Sequence, residues 1–281
     1  MSLTAAMRTI IHLSDLHFGR TDEALLTPLA SAIAKLRPDL IAVSGDLTQR
    51  ARTAEFQAAR AFLDRLPKPQ IIVPGNHDVP LHNVFSRFIG PLTKYLRHIT
   101  ADLEPFYIDE EIAALGINTA RSLTFKRGRI NSKQIEHAKE RLCTLDPKII
   151  KVIVTHHPFD LPDGRAANKR LGRAGLAMEM VWACRCDLLL AGHLHVSDAG
   201  SVAMHTLGGS HDAIVVQAGT ATSTRGRGEI NSFNAIRVEA NRIEVQRFGW
   251  RPLDGVFESM GSEHFERTTA GWQSRSPPAA V

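Results

Sequence analysis

The chain has 281 residues, of which 43% are hydrophobic and 22% charged, the composition of an ordinary soluble globular protein with ample length for a core. It contains no apolar run long enough to span a bilayer and no extended apolar segment after Arg8, which leaves out a transmembrane span and a signal peptide and makes a cytoplasmic protein the expectation. A formal charge of +5 suits an anionic partner. Nucleic acid is not favoured, because the basic segments 126–129 and 165–173 lack the interleaved aromatics of a single-strand stacking platform.

The run Thr9-Ile10-Ile11-His12-Leu13-Ser14 reads as a buried strand that ends at Asp15-Leu16-His17. In an extended segment the side chains at i and i+2 point the same way, so Asp15 and His17 can grip one ion together. Leu25, Leu26, Leu29, Ile33 and Leu36 recur at helical spacing, and Arg37-Pro38 stops that helix. Leu40-Ile41-Ala42-Val43 is a second strand, ending at Ser44-Gly45-Asp46-Leu47-Thr48. Thr53 is the expected cap of a helix over 54–66, with Glu55 near its positive end. Pro67 and Pro69 break it, and Ile71-Ile72-Val73 runs into Pro74-Gly75-Asn76-His77-Asp78. This βαβ series predicts a parallel sheet whose carboxyl ends share one rim, where ligands collect.

Residues 79–103 predict short helices whose apolar stripe, Phe85, Phe88, Ile89, Leu92, Tyr95 and Leu96, covers the site or meets a second subunit. A hairpin around Asp109-Glu110-Glu111 follows, then a helix over 131–145 and a strand over 149–154 that delivers Thr155-His156-His157-Pro158. A long, polar, basic loop spans 159–175. A helix over 176–183 precedes the strand 187–191, which delivers Gly192-His193-Leu194-His195, a second i,i+2 pair. Segments 213–217, 232–239 and 242–248 alternate like antiparallel strands of a second sheet, interrupted by the polar, glycine-rich stretch 219–228. One domain of two packed sheets is expected over residues 1–255, with 256–281 a loosely ordered tail. Cys143, Cys184 and Cys186 are too few for a disulfide framework, and the Cys184-Arg185-Cys186 pair reads as buried structural cysteine.

Five turns, each placing a metal-competent side chain after a β-like run, are what a two-metal hydrolase requires. Such a centre needs one bridging carboxylate, and Asp46 is the candidate. Asp15, His17 and His195 complete one ion site, and Asn76, His156 and His193 the other. Mixed Asp, His and Asn ligands without thiolate point to two divalent ions from among Mn, Fe, Zn, Co and Ni, with Mn or Fe favoured. His77 is assigned to the substrate, stabilising or protonating the leaving oxygen, with Asp78 setting its tautomer. His12 and His157 are candidate outer partners of the ligand imidazoles, and Arg225 a candidate phosphate contact.

Asp-x-His, Gly-Asp, Gly-Asn-His-Asp, His-x-Pro and Gly-His-x-His, in this order over residues 8–250, resemble the calcineurin-like metallophosphoesterases. Gly45-Asp46-Leu47-Thr48 with Gly75-Asn76-His77-Asp78 close behind is nearest the class III cyclic-nucleotide phosphodiesterase branch. Beside Gly75-Asn76-His77-Asp78 there is no arginine motif of the protein-phosphatase kind. The resemblance implies an α/β fold, a four-layer αββα sandwich of two mixed β-sheets flanked by helices. It implies the same ligand roles and hydrolysis of a phosphodiester, a cyclic nucleotide or similar small anionic ester, by in-line attack of a metal-bridging hydroxide. Rival readings are a phosphomonoesterase, a nucleic-acid phosphodiesterase and a non-catalytic metal-dependent scaffold.

Overall fold

Apolar runs without alternation belong to strands covered on both faces, and these runs build the centre of the fold. The computed structural model describes residues 6–81, 84–122, 127–159, 171–195, 197–202, 205–206, 209–210, 212–224 and 229–275. The first half contains β1 (Arg8–Leu13), α1 (Leu26–Lys35), β2 (Leu40–Ser44), α2 (Thr53–Leu63), β3 (Gln70–Val73), α3 (Val84–Ile89), α4 (Thr93–His98), β4 (Phe106–Ile108) and β5 (Ile112–Gly116). After α5 (Ser132–Leu142) come β6 (Ile150–Val154), α6 (Ala174–Ala183), β7 (Leu188–Ala191), β8 (Asp198–Val202) and the short pair β9 (His205–Thr206) and β10 (Gly209–Ser210). The chain closes with β11 (Ala213–Gln217), β12 (Ser232–Glu239), β13 (Arg242–Arg251), β14 (Val256–Thr268) and β15 (Gly271–Arg275).

One sheet has the order β15-β14-β13-β12-β1-β2-β3 and the other β4-β5-β6-β7-β11-β8. Ile10, Ala42 and Val73 of the first face Val152, Leu188 and Ile214 of the second in a shared core. On the outer face of the first sheet, Ile11 and Val43 pack against Leu29, Phe56, Phe62 and Tyr95. On the outer face of the second, Ile153 and Leu189 pack against Ile135, Leu142 and Met180. The result is the four-layer αββα sandwich. No helix among the described residues is long and apolar enough to cross a membrane.

Several expectations are corrected. Strands β12 and β13 do not form a second sheet with β11: β12 pairs antiparallel with β1, whereas β11 lies parallel beside β7. Alternation reports which face of a strand is buried, not which strand is its neighbour. The helix expected to be capped by Thr53 begins at Thr53, with Arg52 as cap and Glu55 Oε2 accepting from the Arg50 and Arg52 amides at 2.8 and 3.3 Å. The apolar stripe divides: Leu92 and Tyr95 are buried, whereas Phe88, Ile89 and Leu96 are exposed. Cys143 and Cys184, at the ends of α5 and α6, form a disulfide, and Cys186 is buried outside it.

The expected loose tail is instead the hairpin β14–β15 as far as Arg275. Its buried residues Phe257, Phe265 and Trp272 are widely spaced among polar ones, as an edge hairpin with one solvated face requires. Trp272 is fully buried between the sheets, and its Nε1–H donates to Asp187 Oδ1 at 2.9 Å. Arg267 donates to the same oxygen at 2.7 Å, and Asp187 Oδ2 accepts from the Lys151 amide at 2.8 Å. Trp272→Ala should therefore cost about 3–5 kcal/mol in urea unfolding; an unchanged unfolding curve would contradict this anchoring.

Candidate metal centre

Every candidate ligand lies in a turn just past the carboxyl end of a strand, but the turns come from both sheets. Asp15 and His17 follow β1, Asp46 follows β2 and Asn76 follows β3; His156 follows β6, and His193 and His195 follow β7. The expected rim at the carboxyl ends of the parallel strands β1, β2 and β3 is present, and the turns after β6 and β7 of the second sheet meet it across a seam. The expected extended geometry is also replaced. Asp15, His17, Asp46, His193 and His195 have φ of 53°, 48°, 51°, 71° and 58°, in the left-handed region. Each such residue costs on the order of 1–3 kcal/mol unless its surroundings impose it, and such strain gathers at functional sites.

The surroundings here are backbone hydrogen bonds between the turns. The amides of Asp15, His17 and Phe18 donate to the carbonyls of Gly45, Asp46 and Leu47 at 3.1, 2.9 and 2.8 Å. Leu16, between the two ligands, is buried in the outer core. Close approach then demands glycine at two positions: a Cβ at Gly75 would overlap the Asp46 carboxylate, and one at Gly192 would overlap the Ser14 hydroxyl.

Asp15 Oδ1 stands 3.4 Å from both His17 Nε2 and His195 Nε2. Asp46 spans two neighbourhoods, with Oδ2 3.7 Å from His17 Nε2 and Oδ1 3.4 Å from His156 Nε2. Asn76 Oδ1 is 3.1 Å from His156 Nε2, and the His193 ring centroid lies 5.1 Å from that of His156. Ligand atoms around one ion at bonds of about 2.0–2.2 Å stand roughly 3.0–3.5 Å apart, so these separations fit. Among the described residues, buried Asp15 Oδ1 meets only the two imidazole nitrogens at 3.4 Å, beyond close hydrogen-bond length, which leaves it open to a cation.

Partners on the far nitrogens orient the imidazoles. His156 Nδ1–H donates to the Ser44 carbonyl at 2.8 Å, which turns Nε2 inward. His195 Nδ1 is 2.8 Å from Thr220 Oγ1. His157 lies beside the second group, with its Nδ1 2.8 Å from Thr119 Oγ1 and its ring centroid 4.7 Å from that of His193. His156, His157 and His193 can bring nitrogens within 4.8 Å of one another.

Two sequence assignments change. Asp78 does not set the tautomer of His77, because His77 Nδ1–H donates to the Gln49 carbonyl at 3.0 Å. Asp78 instead accepts from the Gly75, Leu47 and Thr48 amides and the Thr48 hydroxyl at 2.9, 3.1, 2.9 and 2.9 Å, stapling the β2 and β3 turns together. His12 reaches no ligand imidazole; its Nε2 meets Ser44 Oγ at 2.9 Å. Arg225 lies outside the described residues.

Burial alone would raise both ligand carboxyls. For Asp15 the His17 contact and the charges of His156 and His195 outweigh it; for Asp46 it is His156, His17 and His77. Both are held well below the usual carboxylate range. Burial would lower His156, yet Asp46 lifts it to about 9. Burial and the neighbouring His156 push His193 down to about 4, and burial takes His12 to about 3. For Asp78, burial and then Asp46 push the carboxyl up to about 6 against its four donors.

Ser14, Ser44, Gln49, Thr119 and Thr220 were not singled out by sequence. Single small polar residues in turns look alike whether or not they hold an imidazole.

Known proteins resemble this chain in sequence and in fold. Over 163 residues the chain is 27% identical to the glycerophosphodiester phosphodiesterase GpdQ of Enterobacter lignolyticus, covering 54% of this chain and 58% of that protein. It is 33% identical over 163 residues to a probable cyclic nucleotide phosphodiesterase of Synechococcus sp., covering 53% and 58%. The match thus spans little more than half the length of these curated relatives. The fold is that of the solved structure of PhoD, with a TM-score of 0.72 at 9% identity over 98% of this chain and 73% of that one. It is also that of the purple acid phosphatase PPD1 from yellow lupin seeds, with a TM-score of 0.70 at 12% identity over 94% and 55%. The profile of the calcineurin-like phosphoesterases matches residues 8–197, well over half of the 281, and the chain belongs to that family.

Proposed function

We propose that this chain is a dinuclear-metal phosphoesterase that hydrolyses a small phosphodiester, a cyclic nucleotide or a similar anionic ester. The observation that carries this reading is Asp46, one buried carboxylate whose two oxygens border two separate imidazole groups. Asp15, His17, Asp46 and His195 would hold one ion, and Asp46, Asn76, His156 and His193 the other. Two divalent cations, Mn or Fe by preference, supply an acidified water nucleophile and neutralise charge on the phosphoryl oxygens. Because His77 Nδ1–H is committed to the Gln49 carbonyl, Nε2 is the atom assigned to proton transfer to the leaving oxygen. The names of the two phosphodiesterase relatives support a diester substrate over a monoester.

Manganese-loaded protein should turn over bis(4-nitrophenyl) phosphate faster than 4-nitrophenyl phosphate; the reverse order would make it a phosphomonoesterase, and no turnover of either would favour a scaffold. Asp46→Asn should lower bound manganese and cut diester turnover at least about 100-fold. His77→Ala should keep its metal and lose about 100- to 10,000-fold in turnover. A His77→Ala protein with unimpaired turnover would remove that residue from the chemistry.

Metal uptake should also depend on pH. Below about 9 the metal-free His156 carries a proton that a cation must displace, so affinity should rise as pH is raised and level off above about 9. The expected slope is about tenfold per pH unit if this proton alone is released. Manganese titrations from neutral pH to beyond that value would show it, and a flat profile would contradict the role of His156.

A further inference from the structure

The turn before the first ligand pair carries a hydroxyl for which neither the motif nor the proposed reaction has a use. Ser14 is fully buried, and its Oγ lies 2.6 Å from Asp15 Oδ2 and 3.1 Å from the Ser44 carbonyl. A hydroxyl has one proton to give, and the shorter, charged contact takes it; 2.5–2.7 Å is about the length of an O–H donor on a carboxylate. The Ser44 carbonyl does not depend on that proton, because it already accepts from His156 Nδ1–H at 2.8 Å. The hydroxyl is therefore not there to satisfy the backbone.

Its effect falls on Asp15. Oδ2 also accepts the His193 amide at 3.0 Å, so it is held by one donor from each sheet. With Oδ2 committed, Oδ1 is the oxygen that faces His17 Nε2 and His195 Nε2, 3.4 Å from each. Gly192 closes over the hydroxyl so tightly that a Cβ there would overlap it, which limits the rotamers open to Ser14.

We propose that Ser14 is a positioning residue that fixes the carboxylate plane of Asp15, so that a single oxygen is presented to the ion of the Asp15–His17–His195 group. The inference rests on the dinuclear reading above. It makes a site-selective claim, since the hydroxyl proton goes to Asp15 alone and the second group is reached only at one remove, through the Ser44 carbonyl that His156 Nδ1–H already holds and the Asp15 oxygen that accepts the His193 backbone amide.

Cobalt(II) titration of metal-stripped protein, followed by visible absorption and calorimetry, tests it. The unaltered chain should bind two equivalents. Ser14→Ala should weaken one of them about 10- to 100-fold and leave the other in place, the usual range for losing an outer hydrogen bond to a ligand. The melting temperature of the metal-free variant should fall by no more than the few degrees that one buried hydrogen bond contributes. Tyr95→Phe, which removes a buried hydroxyl bonded to the Ile72 carbonyl in the outer core, should retain both equivalents at full affinity. Two undiminished equivalents in Ser14→Ala would overturn the inference alone, and so would loss of both together with a metal-free melting temperature lowered by more than those few degrees, which would mark Ser14 as structural. Fewer than two equivalents in the unaltered chain would overturn the dinuclear reading itself, and this inference with it.

Discussion

Asp15 and Asp46 are at most 1% exposed, and removing a carboxylate from water costs several kcal/mol unless its charge is compensated. Among the described residues, the basic groups within ion-pair distance of either are imidazoles only. Imidazole is a partial answer to a buried anion, because burial favours its neutral form: Asp46 lifts His156 to about 9, but burial and that same His156 push His193 down to about 4. Divalent cations answer the same need fully, and neutral imidazoles with ionised carboxylates are the protonation states that cations require. The arrangement of the two sheets follows from keeping these groups together, dry and separately oriented.

The backbone meets that demand by means that contribute no chemistry themselves. Five ligands sit at positive φ, and interlocked amide–carbonyl bonds between the β1 and β2 turns keep three of them, Asp15, His17 and Asp46, there. Asp78, with four donors, ties the β2 and β3 turns into one unit. Gly75 and Gly192 let the turns close to distances that any side chain would prevent. Substitution at these positions would alter the site through its geometry, which is why nearness to the ligands in sequence is a poor guide to role: Asp78 adjoins His77 yet serves the backbone.

What was legible in the sequence had a local physical signature. Leu40 to Val43 and Ile150 to Val154 are apolar at nearly every position because both faces are covered, and such runs announce themselves. The ligand turns were legible because aspartate, asparagine and histidine recur after those runs. Strand partnership was not, since it is decided by packing between distant segments; β12 and β1 are paired through Ala235 and Ile11 across most of the chain. The β14–β15 hairpin was missed because its apolar residues are sparse, although Phe265 and Trp272 are fully buried. Cys143 and Cys184 meet only because α5 and α6 pack side by side. The i,i+2 spacing of Asp15 and His17 pointed to a shared ligand role for the wrong reason: left-handed turns, not an extended strand, bring them together.

The central claim is that Asp46 stands between two cations. Crystals of the manganese-loaded protein, measured at a wavelength where manganese scatters anomalously, would test it directly. The account predicts two anomalous peaks about 3.5–4 Å apart, one on each side of the Asp46 carboxylate, the nearer to Asp15, His17 and His195 and the farther to Asn76, His156 and His193. A single peak, or two peaks that do not share Asp46, would contradict it.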